Sequence, residues 1–263
     1  MDHHHSWYNF LPFFDWVGDY FQLNYADTVV FNSGIMPSNP RFDTVHHIFA
    51  AVLVCLILVT MSLVARFKMR RIEDVIVPST KFSVLNFFEL MLSGLMSLMH
   101  DIIGPDYKRH VPVVGTFALF ILISNLLGLV PGFLPPTDNL NTTLACGLIV
   151  FVYFNIQGLR VNGLGHITHL ANPVGEWWGW FLAPLLFPIE LVGIMVRPFS
   201  LAIRLAGNMI GDHKVLLAFA GVMPFLLPLP FMVLGLLVAL IQTAVFCILT
   251  CVYISLHAQE ATH

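Results

Sequence analysis

Long apolar runs, broken by charges or by Gly and Pro, dominate the pattern of this chain. The first extends from Thr44 to Ala65 without a Lys, Arg, Asp or Glu. At about 1.5 Å per residue a helix of that length crosses the ~30 Å hydrocarbon layer of a bilayer. Arg66, Lys68, Arg70 and Arg71 follow at once, which predicts a cytoplasmic end there and an external N-terminus. Residues 111–132 and 140–159 predict two further spans. They are joined by the turn-rich segment Pro131 to Asp138, which has no Lys or Arg, as an external loop should. Residues 177–222 and 231–258 predict the last two spans, with Pro224, Pro228 and Pro230 at the turn between them. Both are longer than a perpendicular crossing needs, so both are expected to tilt strongly. The C-terminus then falls in the cytoplasm.

Two segments break this pattern. Residues 82–103 carry Leu85, Phe88, Leu92, Leu95, Met99 and Ile103 at spacings of three and four, interrupted by Glu89, His100 and Asp101. Lys81, Lys108 and Arg109 flank the segment at both ends, which favours an amphipathic helix on the cytoplasmic surface over a full span. Residues 1–43 are aromatic and acidic, with Gly34, Pro37 and Pro40 as breakers, and read as an external interfacial tail. The expected fold is an all-α polytopic membrane protein: about five spanning helices and one surface helix within residues 44–263.

Composition agrees. Hydrophobic residues make up 57% of the chain and charged residues 10%, against about 25% charged in soluble domains. The mean hydropathy is +0.81. The surrounding solvent must be largely membrane lipid. No basic run suggests nucleic acid as a partner. Met1-Asp2-His3-His4-His5 lacks the basic start of a secretory signal. Cys55, Cys146, Cys247 and Cys251 lie in apolar stretches without zinc-ligand spacing and read as small buried hydrophobes. No nucleotide loop, zinc-hydrolase motif or serine-nucleophile elbow occurs. His46, His47, His166 and His169 do not supply facing haem ligands. No cofactor and no metal is expected.

The informative residues are charges inside apolar stretches. Glu190, Arg197 and Arg204 recur every seven residues, nearly two helical turns, so they project from one side. Ser200 and Asn208 flank Arg204 by one turn on the same stripe, and Asp212 continues it. Pro198 can kink the helix and rotate the earlier members. A charge at bilayer centre costs about 2.5–3.5 kcal/mol on insertion scales. Arg204 must therefore face protein, a partner or water, or be a structural cation paired with Glu190 or a carbonyl.

The stretch Arg197-Pro-Phe-Ser-Leu-Ala-Ile-Arg204-Leu-Ala-Gly-Asn208-Met resembles the signature of the a subunit of F-type ATP synthases. Ser124-Asn-Leu-Leu-Gly-Leu-Val-Pro-Gly132, Pro188-Ile-Glu190, and Gln242 with Tyr253 are similar to other motifs of that family. The resemblance spans about residue 42 to the end. It implies a non-catalytic stator subunit in a bacterial plasma membrane. Partners would be a c-subunit ring, peripheral-stalk b subunits and the remaining synthase subunits. Two offset half-channels would meet the ring, with Arg204 between them as the essential charge. Asn208 and Gln242 would line the passage, Asp212 and His213 would serve the outer path, and Glu190, Ser200 and Tyr253 would complete the proton path. The sequence departs from many relatives, which have Gly-Glu or Gly-His in place of Asp212-His213 and a Glu or His in place of Gly235. The competing reading is a stand-alone ion or solute transporter with its site around Glu190 and Arg204.

Overall fold

The structure, a computed structural model, describes residues 46–69, 84–130, 133–163, 179–222 and 228–259. The tail at 1–43 and the connection holding His166 and His169 lie outside the described residues. Among the described residues six α-helices follow in order: α1 (His46–Met69), α2 (Val84–Ile103), α3 (Val111–Leu127), α4 (Leu140–Asn162), α5 (Gly179–Val222) and α6 (Pro228–Gln259). Two short 3-10 turns join them, Pro105–Arg109 before α3 and Pro136–Asp138 before α4. The expected all-helical membrane fold with two long C-terminal helices is the one observed.

The helix ends follow from local chemistry. Pro112 stands at the start of α3, where a missing N–H costs nothing. Asn139 caps α4: its side chain accepts from the Asn141 N–H at 2.9 Å. Gly163 ends α4 with φ 56°, a backbone setting that a side chain would oppose.

Among the described residues four stretches are long and apolar enough to cross a membrane: His47–Phe67, Leu140–Val161, Pro184–Leu216 and Pro228–His257. Helix α3 is shorter, 17 residues. It compensates by burial, with Val114, Gly115, Ala118, Ile121, Leu122, Ser124 and Asn125 all enclosed. Helix α5, 44 residues, runs to ~66 Å, and α6, 32 residues, to ~48 Å. Against ~30 Å of hydrocarbon each must lie oblique or extend past it.

Helices α2 to α6 share one core, in which Met99, Ile121, Phe154, Leu205 and Phe246 meet. Helix α2 puts Leu95 and Met99 into it and leaves Leu90, Met96 and Leu98 exposed. Close approach of α4 and α5 depends on Gly147, where an added Cβ would lie 2.8 Å from the Pro198 carbonyl oxygen. Much of the outer surface is apolar: α1 alone exposes Val52, Leu56, Val59, Leu63 and Phe67. In water that surface would be a liability; in lipid it is the solvated face.

Candidate functional site

The middle of α5 has two sharply different sides. Leu201, Ala202, Leu205, Ala206 and Met209 are buried in the core. Ser200, Ile203, Arg204, Gly207, Asn208 and Gly211 are exposed. The 3.6-residue period thus turns Arg204 outward, halfway along the longest helix. On the same helix a Cβ added at the exposed Gly193, Gly207 or Gly211 would meet nothing within 4 Å. Among the described residues no acid pairs with Arg204. Glu190 instead approaches Arg197 at 4.0 Å. Arg197 also lies over the Tyr253 ring, 5.6 Å from its centroid. The Arg204–Glu190 pair that the sequence allowed is therefore not formed, and Tyr253 belongs with Arg197 rather than with Arg204.

One turn beyond Arg204 the helix is tied to α6. Asn208 donates from Nδ2 to Oε1 of Gln242 at 2.8 Å, and Gln242 is buried. Two turns beyond Arg204 stands Asp212, whose carboxylate approaches Gly235 of α6. His213 follows, with the Pro136–Asp138 turn packed against this part of α5. Thr137 of that turn donates to Asn125 Oδ1 at 2.9 Å, joining it to the end of α3.

The buried side-chain atoms that lack a hydrogen-bond partner, among the described residues, are Ser124 Oγ, Asn125 Nδ2, Asp138 Oδ1, His213 Nδ1 and Gln242 Nε2. Ser124 and Asn125 stand at the end of α3, where Asn125 is bonded to the Pro136–Asp138 turn; Asp138 is in that turn, His213 is on α5, and Gln242 is midway along α6. An unpaired buried polar atom costs about 1–3 kcal/mol. Buried polar atoms without protein partners are what enclosed water would satisfy. Burial holds the Asp138 carboxyl above the usual carboxylate range, opposed by the nearby His213 and Lys214.

Of the residues predicted from sequence, Asn208 is bonded to Gln242, Asp212 lies against Gly235 of α6, and His213 is near Asp138. Ser200 is exposed like Arg204, and Glu190 and Tyr253 each approach Arg197. Sequence reasoning did not select Ser124, Asn125, Thr137 or Asp138 as site residues. The available signals were two adjacent polar residues in an otherwise apolar span and an acid in a loop without a base. Among the described residues no group of three or more His, Cys, Asp or Glu is placed to hold a metal.

A polytopic helical protein with an exposed cation on a long apolar helix, no acid beside it among the described residues, and unsatisfied polar atoms buried between its helices has the character of an ion-conducting membrane subunit. The family model of the ATP synthase A chain matches residues 48–255. The chain is 40% identical over 217 residues to "ATP synthase subunit a" of Sorangium cellulosum, covering 82% of this chain and 83% of that one. It is 42% identical over 210 residues to "ATP synthase subunit a" of Geobacter sulfurreducens, covering 80% and 85%. It is 46% identical over 176 residues to "ATP synthase subunit a 2" of Syntrophotalea carbinolica, covering 67% and 73%. The chain belongs to the ATP synthase A chain family: it is the non-catalytic, proton-translocating stator subunit of F-type ATP synthase, and other synthase subunits are its partners. The stand-alone transporter reading gives way to this.

Proposed function

We propose that the open face of α5 around Arg204 is where this subunit meets a ring of c subunits, and that Arg204 keeps two proton half-channels apart there. The exposed Arg204, with no acid beside it among the described residues, is the observation that carries this reading. A cation at that depth is paid for only by a partner carboxylate or water. A ring carboxyl arriving at Arg204 would be held ionised by the opposite charge. Arginine keeps its proton, so no proton can cross from one channel to the other through it. Lysine would neutralise in a low dielectric and lose both properties.

The polar file at the Pro136–Asp138 end serves as the outer half-channel, through Asp212 and His213 to Asn208 and Gln242. Ser200, Glu190 and Tyr253 serve the inner one. Arg66, Lys108, Arg109 and Arg160 at the opposite end support an outside position for the file by the positive-inside rule. The apolar flanks and bacterial relatives support a bacterial plasma membrane, and peripheral-stalk b subunits complete the stator contacts. A membrane potential of 100 mV supplies about 2.3 kcal/mol per proton.

The test is ATP-driven acidification of inverted membrane vesicles carrying Arg204→Ala or Arg204→Lys. Both variants lose pumping while the complex still assembles. Normal pumping in Arg204→Ala overturns the reading.

A further inference from the structure

The outer path as first drawn begins at His213 and leaves open which fixed group delivers protons to it. The Pro136–Asp138 turn supplies a candidate that the helices do not. Its neighbours already have structural tasks: Asn139 caps α4, and Thr137 is bonded to Asn125. Asp138 Oδ1 has no such task; it is buried without a hydrogen-bond partner. The same is true of Nδ1 of His213 on α5, the helix the turn packs against. The carboxyl and the imidazole are within electrostatic reach of each other. Two buried polar atoms left unsatisfied on groups this near each other fit a shared water better than a structural bond.

We propose that Asp138 is the outermost fixed proton carrier of this subunit, taking protons from external water and passing them through a bridging water to Nδ1 of His213. The proposal rests on the outer half-channel reading above. Each step is balanced: Asp138 gives one proton to the water, the water gives one to His213, and Asp138 regains one from outside. His213 returns to neutral by passing its proton toward Asp212. The charged groups around Asp138 are His213 and Lys214 of α5. Those around His213 are Asp138, Lys214 and Asp212. From α1, Nδ1 of His47 lies 3.5 Å from the side-chain nitrogen of Asn139, the residue next to Asp138. Lys214 favours the carboxylate left after transfer, and burial favours the protonated acid before it. The two influences oppose each other, which suits a group that must both hold and release a proton.

The experiment uses the whole synthase in inverted vesicles, whose lumen corresponds to the outer side. ATP synthesis driven by an imposed gradient is followed as lumen pH is varied. Asp138→Asn is expected to lower the maximal rate by about tenfold and to flatten its dependence on lumen pH. Asp138→Glu is expected to restore most of the rate with a displaced pH midpoint. The pair Asp138→Asn and His213→Gln is expected to be no slower together than the slower one alone. Wild-type rate and pH profile in Asp138→Asn overturn the proposal, and so do equal losses in Asn and Glu variants with the profile unchanged. If Asp138→Asn does not assemble, the Glu variant decides by the presence or absence of the displaced midpoint. Arg204→Ala in parallel separates the two readings. If it is inactive while Asp138→Asn is normal, only the Asp138 role fails. If it pumps normally, the half-channel reading itself fails.

Discussion

The carboxylate of Asp212 fills the space that a side chain at Gly235 would occupy: a Cβ built on Gly235 would lie 2.5 Å from Asp212 Oδ2 and 2.7 Å from Leu129 Cδ2. An acid on α5 and the lack of a side chain on α6 are thus one arrangement. Gly235→Ala is expected to displace Asp212, to slow ATP-driven acidification several-fold and to leave assembly intact. Asp212→Gly in the Gly235→Ala background relieves the crowding but removes the carboxyl, so stability returns and transport does not. Thermal stability of the detergent-solubilised complex, measured beside acidification rate, checks both halves.

The Asn208–Gln242 bond makes a different prediction. Asn208→Leu removes the donor and leaves both ends of the buried Gln242 amide without a partner. The expected cost is about 1–3 kcal/mol, read as a lower unfolding temperature. Replacing both residues by Leu is expected to recover stability, because no polar group is left stranded. Proton transport stays impaired in the double variant, because the passage beside Arg204 loses its polar lining.

Gly147 tests the packing that holds α5 in place. Its absent side chain lets α4 reach the Pro198 backbone. Gly147→Val forces the helices apart, at a cost of about 1–3 kcal/mol or more. The amount of subunit retained in purified synthase is expected to fall sharply. Normal retention would show that α4 and α5 do not approach each other as described.

The all-helical architecture with its long apolar helices was readable because apolar length is a local property. Arg204 stood out for the same reason, as a charge that lipid does not tolerate. What could not be read was which distant residues meet. Asn208 and Gln242 are 34 positions apart, and no local pattern states that α6 presents Gln242 to α5. The hydrophobic period could not distinguish the buried side of α5 from its open side either, since Ile203 and Leu205 are equally apolar and only Leu205 is enclosed. The seven-residue spacing placed Glu190, Arg197 and Arg204 on one stripe, but it did not show that Glu190 and Arg197 would pair with each other. Asp138 escaped notice because a loop acid is ordinarily a solvated turn residue. Its meaning comes from burial against α5, a tertiary fact.

The buried His110, at the start of α3, offers a pH-dependent test away from the proton path. Its Nδ1 lies 2.8 Å from the Tyr153 hydroxyl. Burial lowers its pKa, Arg109 adds to the effect, and Asp106 partly offsets it. The folded state therefore keeps the ring neutral where the unfolded chain, near 6.5, begins to protonate. This contribution is fully present above the unfolded value and is lost as pH falls through the folded one. His110→Phe is expected to weaken the acid-side fall in thermal stability below about pH 6.5. An unchanged acid limb in the variant would assign that fall to other groups.

The central claim is that Arg204 separates two proton-accessible regions. Its most direct measurement is passive proton flux through vesicles stripped of the soluble ATPase portion, with the ring carboxyls blocked by a carbodiimide so that the rotor cannot carry protons. Wild-type vesicles are expected to stay tight, and Arg204→Ala vesicles to leak under the same potential. Equal tightness in both, with the Ala variant fully assembled, would contradict the account.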